Sequence, residues 1–107
     1  MDYFMILSTI NNKDKGVEIA EALIKKEFAA CVNIIDGITS VYKWKEKIEM
    51  DNEYLLLVKT VDYRLEETIE KIKTLHPYEL PEIISFRVEE GNKEYLKWIN
   101  EICGGKK

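Results

Sequence analysis

The sequence predicts an α+β domain in which a β-α-β-β-α-β string is followed by a third helix. Three observations carry that order. Short apolar or alternating runs are separated by stretches whose apolar residues recur at helical spacing. The two middle strands follow one another with only Lys45-Glu46-Lys47 between them. Pro77 and Pro81 mark the connector between the second helix and the last strand.

Each element has its own signal. Tyr3 to Ile10 is a short apolar run, read as a buried strand. Asn11-Asn12 offers turn and N-cap chemistry. From Lys13 to Lys26 the positions Val17, Ala20, Leu23, Ile24 and Phe28 follow a helical stripe. Gly16 weakens the first turns of that helix by up to about 1 kcal/mol. Ala29 to Ile35 is the second strand, and Asp36-Gly37 is a bend or bulge because β-type residues resume from Ile38 to Trp44. Ile48 to Thr60 is extended again. Val61 to Leu75 is helical, with Leu65, Ile69, Ile72 and Leu75 on one stripe, and Pro77 ends it. Ile84, Phe86 and Val88 alternate with Ser85 and Arg87, a fourth strand with those three residues on its buried face. After Gly91-Asn92, the stripe Tyr95, Trp98, Ile99 and Ile102 marks the last helix, stopped by Gly104-Gly105. The first six elements match a ferredoxin-like βαββαβ sandwich, one antiparallel sheet with both crossover helices on one face.

At 107 residues the chain is read as a single domain, residues 1–107. Its apolar and charged fractions, 46% and 34%, exclude a disordered tail. No uninterrupted apolar run, Leu55 to Val58 included, exceeds five residues, far short of the roughly 20 residues of a membrane span. The start Met1-Asp2-Tyr3-Phe4 has no basic region, so the expected compartment is cytoplasmic. A net charge of -4 gives no footprint for nucleic acid. Cys31 and Cys103 form no metal or disulfide motif. Fifteen Glu and fourteen Lys with two Arg and no Gln lean toward a thermophile composition.

The middle hairpin is too long for its own core. Thirteen residues from Ile48 to Thr60 extend to about 43 Å at ~3.3 Å per residue. A compact domain of this length is about 34 Å across, so the tip, with Tyr42, Trp44, Ile48 and Met50, protrudes. Apolar groups on such an arm call for a neighbouring copy, unless the hairpin bends over its own sheet or the last helix covers it.

No nucleophile–base arrangement, phosphate loop or paired-cysteine motif is present, and the reading is a protein that is not an enzyme. His76-Pro77-Tyr78-Glu79-Leu80-Pro81-Glu82 combines both prolines with an imidazole, a phenol and two carboxylates. It reads either as a rigid connector, with His76 capping the helix, or as part of a divalent-metal or small-ligand site. In the second case imidazole suits copper and zinc, and Cys31 adds a thiolate if the fold brings it close. Lys43, Lys45, Lys47 and Lys59 either protect a strand edge or attract an anion.

Five segments together resemble the CutA divalent-ion tolerance family. They are Ala29 to Ile34, Ser40 to Trp44, Glu53 with Leu55 to Thr60, His76 to Ile84, and Tyr95 to Ile99, in order over nearly the whole chain. The resemblance implies a ferredoxin-like fold and a homotrimer whose long hairpins pair with neighbouring subunits, similar in architecture to PII-type signalling trimers. It implies tolerance to copper and other divalent cations, with no obligatory cofactor. By position, Cys31 and His76 match recurrent family residues and are the metal donors expected first, with Glu79 and Glu82 assisting. Asn33, Tyr42, Trp44, Lys59 and Tyr78 match positions expected to line an intersubunit cleft. Glu46 stands where the family often has glycine, so a turn needing positive φ there is strained. The partners expected are further copies of the chain and divalent ions. The rival readings are a PII-like regulator binding a small organic anion and a trimeric scaffold without a ligand.

Overall fold

A computed structural model describes residues 1–104 of the chain. The elements are β1 (Tyr3–Ile10), α1 (Lys13–Lys25), β2 (Cys31–Trp44), β3 (Lys47–Val61), a 3-10 turn (Asp62–Arg64), α2 (Leu65–Leu75), β4 (Ile83–Val88) and α3 (Lys93–Ile102). The sheet order is β2-β3-β1-β4, antiparallel throughout, so β1 lies between two strands that come later in the chain. This is the ferredoxin-like arrangement the element order predicts. None of the described helices is long and apolar enough to cross a membrane.

The core lies between the sheet and α1 with α2. Ile6 and Ile10 of β1 and Leu56 and Val58 of β3 pack there with Ile19, Leu23 and Ile72 from the helices. Gly16 faces this layer: a Cβ there would stand 3.4 Å from Ile10 Cγ2 and Leu56 Cδ2, at van der Waals contact, so α1 crosses close over the sheet at this point. Asn12 caps α1, its side chain accepting from the Lys15 N–H. The helix closes with Glu27 at φ 63°, while the Phe28 N–H bonds Leu23 O and the Glu27 N–H bonds Ile24 O. The Phe28 carbonyl then accepts from Thr60 Oγ1 at 2.6 Å, Thr68 Oγ1 at 3.1 Å and Cys103 Sγ at 3.7 Å, tying β3, α2 and the end of α3 to one point.

A second, smaller cluster joins Ala30, Val61, Ile99 and Cys103, with Tyr3, Leu96 and Ile102 packed against it. Tyr3 and Val61 are register partners, so α3 covers that end of the sheet. Asn92 caps α3, and Gly104 at φ 80° follows its end as expected; Gly105 lies outside the described residues.

Three sequence expectations are corrected. Val61 does not open α2: it completes β3 opposite Tyr3, and the helix begins at Leu65 after the 3-10 turn. Ile84 and Phe86 are not on a buried face of β4, each being 48% exposed. They belong to the sheet side away from α1 and α2, where Ile84 pairs with Leu7 and Phe86 with Met5. The alternation was correct, but within one chain only α3 reaches that side, at its Tyr3–Val61 end, and it leaves Ile84 and Phe86 open. Ile24 of the expected α1 stripe is likewise exposed, and Ile19 takes the buried place.

The β2-β3 hairpin extends the molecule to 50 × 25 × 22 Å, and Ile48 and Met50 near its tip are 79% and 68% exposed. Trp44 pairs with Lys47, leaving a two-residue turn with Lys45 at φ 50° and Glu46 at φ 72°. Both are left-handed without being glycine, which is the strain expected at Glu46. Glu46→Gly is therefore expected to stabilise the fold by about 1 kcal/mol, raising the melting temperature by about 4–8 °C in calorimetry. An unchanged or lower midpoint would show that the turn is not strained.

Candidate functional site

The hairpin owes its facing to the bulge at Asp36-Gly37. Before it, Ile35 pairs with Leu55; after it, Ile38 pairs with Glu53, so two residues of β2 oppose Tyr54. Gly37 supplies φ 77°, which a β-carbon would disfavour. The extra residue shifts the alternation of β2 and puts Ser40, Tyr42 and Trp44 on the same face as Asp51 and Glu53.

The connector from His76 to Glu82 lies against that face. His76 is the extended C-cap of α2, as a residue before proline should be, and is 7% exposed. Its Nε2–H donates to the Thr9 carbonyl at 2.8 Å, and its Nδ1 accepts from the Tyr78 N–H at 3.2 Å. The Tyr78 ring stands edge-on to the imidazole, with centroids 4.5 Å apart. Tyr78 Oη donates to Glu53 Oε2 at 2.5 Å, and Thr9 Oγ1 donates to Glu82 Oε1 at 3.4 Å. The connector is thus clamped to the end of β1 and the middle of β3.

Between connector and hairpin lies a cleft of about 620 Å³, its charged lining four carboxylates (Asp51, Glu53, Glu79, Glu82) and one ammonium, Lys43. Tyr42 Oη donates to Asp51 within it. That hydrogen bond to a carboxylate, with lesser help from burial and nearby negative charge, pushes the Tyr42 phenol up to about 12. Burial first, then the bond to Glu53, raises the Tyr78 phenol as well. Both phenols are held as donors to acids, so the cleft is an acidic surface with hydroxyl and aromatic walls.

The residues expected at the site fall into two groups. His76, Tyr78, Glu79, Glu82, Tyr42 and Trp44 meet around the cleft or beneath it. Cys31, Asn33 and Lys59 form a separate cluster. Cys31 pairs with Lys59 in the sheet, Lys59 Nζ lies 3.8 Å from Cys31 Sγ, and the same ammonium donates to Asn33 Oδ1. From Lys59 to Glu53 the distance along β3 is about 20 Å at ~3.3 Å per residue. Cys31 and His76 therefore share no ion within one chain. Among the described residues no three His, Cys, Asp or Glu side chains converge as metal ligands. His76 uses both ring nitrogens internally and reaches a metal only by releasing the Tyr78 amide. Glu53 enters the sequence reading only as part of a family segment and Asp51 not at all; the signal for both is their regular spacing on β3 opposite Ile38 and Ser40, visible only once the bulge sets the pairing.

The fold is a ferredoxin-like domain with an overlong hairpin and an acidic cleft along it. Residues 4–102 match the family model described as CutA1 divalent ion tolerance protein, and the chain belongs to that family. It is 43% identical over 100 residues to the divalent-cation tolerance protein CutA of Thermus thermophilus, covering 94% of this chain and 97% of that one. It is also 43% identical to the human protein CutA over 88% of this chain, but spans only 52% of that longer protein. The crystal structure of CutA from Xylella fastidiosa superposes with a TM-score of 0.93 at 38% identity, covering 96% of this chain and 99% of the other.

Proposed function

We propose that this chain works as a cytosolic homotrimer, a non-enzymatic divalent-cation tolerance protein that holds copper or a similar divalent ion weakly. The observation that carries the proposal is the uncovered apolar surface. Ile48 and Met50 on the arm, and Ile84 and Phe86 on the sheet, lie in water on a single chain, where burying them against another copy is favourable. A trimer is the state the family resemblance implies. Weak binding follows from the donor geometry. Cys31 supplies the soft donor, His76 the imidazole, and Glu79 and Glu82 exposed carboxylates, but these do not converge in one chain. A site with more than one of them needs donors from a second copy, or forms with few ligands at low affinity. Both cysteines are free, in keeping with a reducing compartment.

Light scattering at micromolar concentration is expected to give three times the 12.6 kDa chain mass, and Ile48→Asp with Met50→Asp to lower it. A monomer would refute the assembly. Calorimetric titration with copper(II) is expected to show weak, saturable binding that Cys31→Ser diminishes. Unchanged binding in Cys31→Ser combined with Glu82→Gln would remove these donors from the proposal. A PII-like regulator is the second reading, favoured by the Lys59 ammonium beside Asn33. It is supported instead if small organic anions raise the melting midpoint and Lys59→Ala abolishes the rise.

A further inference from the structure

Asp36 is the one aspartate or asparagine of the chain that a glycine follows. With no side chain on Gly37, little hinders the approach of the Asp36 carboxyl group to the Gly37 backbone nitrogen. The fold leaves this pair open. Both residues are exposed, and β2 is an edge strand of the sheet. The ladder passes from Ile35 opposite Leu55 to Ile38 opposite Glu53, so neither Asp36 nor Gly37 has a register partner of its own. At φ 77°, a Cβ on Gly37 would meet no atom within 4 Å, so the space beside the pair is empty of protein. Among the described residues no ion pair holds the Asp36 carboxylate.

The other aspartates are placed differently. Asp14 lies in the first turn of α1. Asp51 is paired in the ladder opposite Ser40 and accepts from Tyr42. Asp62 accepts from the Asp2 N–H, and Asp2 pairs with Arg87. Each is followed by a residue with a side chain.

We propose that Asp36-Gly37 is a modification site, at which aspartate isomerises spontaneously to isoaspartate and thereby alters the bulge that faces the arm. The Gly37 nitrogen attacks Cγ of the protonated Asp36 carboxyl group. An N–C bond forms, the amide proton and the carboxyl hydroxyl leave together as one water, and a succinimide ring closes. Water then adds to a ring carbonyl and breaks its bond to the nitrogen. Opening at Cγ restores aspartate; opening at the Asp36 backbone carbonyl leaves the chain running through Cγ as isoaspartate. Nothing is oxidised or reduced, and water is the sole co-reactant. The product carries one more main-chain atom between Ile35 and Ile38, at the point on which the register of Ser40, Tyr42 and Trp44 against β3 depends. Neither step involves a metal, so the proposal stands apart from the copper reading.

The full chain, in its native assembly, is warmed in neutral buffer below its melting midpoint and digested with trypsin, which releases residues 27–43 as one peptide. Electron-transfer fragmentation distinguishes isoaspartate from aspartate at position 36, and the succinimide is lighter by one water. Isoaspartate is expected to accumulate at Asp36 at a rate within tenfold of that in the free 27–43 peptide, and at least tenfold faster than at Asp51. Asp36→Asn, which closes the same ring by releasing ammonia, is expected to give the same product at least tenfold faster. The aged chain is expected to melt about 4 °C or more below the fresh one, while aged Asp36→Ala keeps its midpoint. Isomerisation more than tenfold slower than in the peptide would show that the bulge protects the pair, and would overturn the proposal. So would an isomerised chain that melts with the fresh one.

Discussion

Replacing His76 with alanine is expected to destabilise the fold by about 2–4 kcal/mol, whether or not copper is present. The substitution leaves the Thr9 carbonyl without its donor and the Tyr78 N–H without its acceptor. Each orphaned buried group costs about 1–3 kcal/mol. It also frees the connector that carries Tyr78 to Glu53, so the bond across the cleft weakens with it. Thermal unfolding in chelator and in copper should show the same loss, on the order of 10 °C. A midpoint within about 2 °C of wild type in chelator, with a drop only in copper, would make His76 a metal ligand first and a clamp second. Reduced copper uptake in this variant is therefore no measure of ligation unless stability is followed beside it.

Replacing Gly37 with valine is expected to cost about 2 kcal/mol or more, because a β-branched residue strongly resists φ 77°. Crowding is not the cause, since a Cβ at Gly37 has no atom within 4 Å. The larger effect is on register. If the bulge is ironed out and the pairing of Ile35 with Leu55 is kept, Lys43 rather than Trp44 falls opposite Lys47. Tyr42 and Trp44 then leave the Glu53 face, and the tight turn becomes a three-residue loop. Gly37→Asn, which tolerates the left-handed region, should lose far less. Melting curves and the tryptophan emission of the two variants check this. Equal behaviour of Asn and Val would show that the bulge does not depend on Gly37's backbone freedom.

The fold was legible because each signal in it is local. Asn12 and Asn92 cap helices, Pro77 stops one, and Asp36-Gly37 marks a bulge. What escaped depended on partners distant in sequence. Ile84, Phe86 and Val88 alternate as a buried strand should, yet alternation cannot say which layer covers a face. Val61 suits the start of a helix as well as the end of a strand, and its pairing with Tyr3 decides between them. At the site, the His76 to Glu82 segment stood out by composition, and the two readings of it part on geometry. His76 holds the backbone together, as the connector reading requires, while Tyr78 and Glu82 face the cleft. Asp51 reads as an ordinary charge on a strand, and Glu53 is marked only by its place in a family segment. Nothing local reveals that Glu53 is sealed beneath a tyrosine from the far side of the molecule.

The central place of β1 bears on how the chain comes together during synthesis. The first strand made has both edges occupied by strands made much later: Tyr3 pairs with Val61 on one side and with Val88 on the other. Only β2 and β3, joined by two residues, can pair on local contacts as they emerge. The nascent chain therefore carries β1 unpaired until the hairpin is complete, and its second edge stays open until β4 has left the ribosome. Pairing over such separations is slow, so the early hairpin is the template on which the oldest segment of the chain is finally laid.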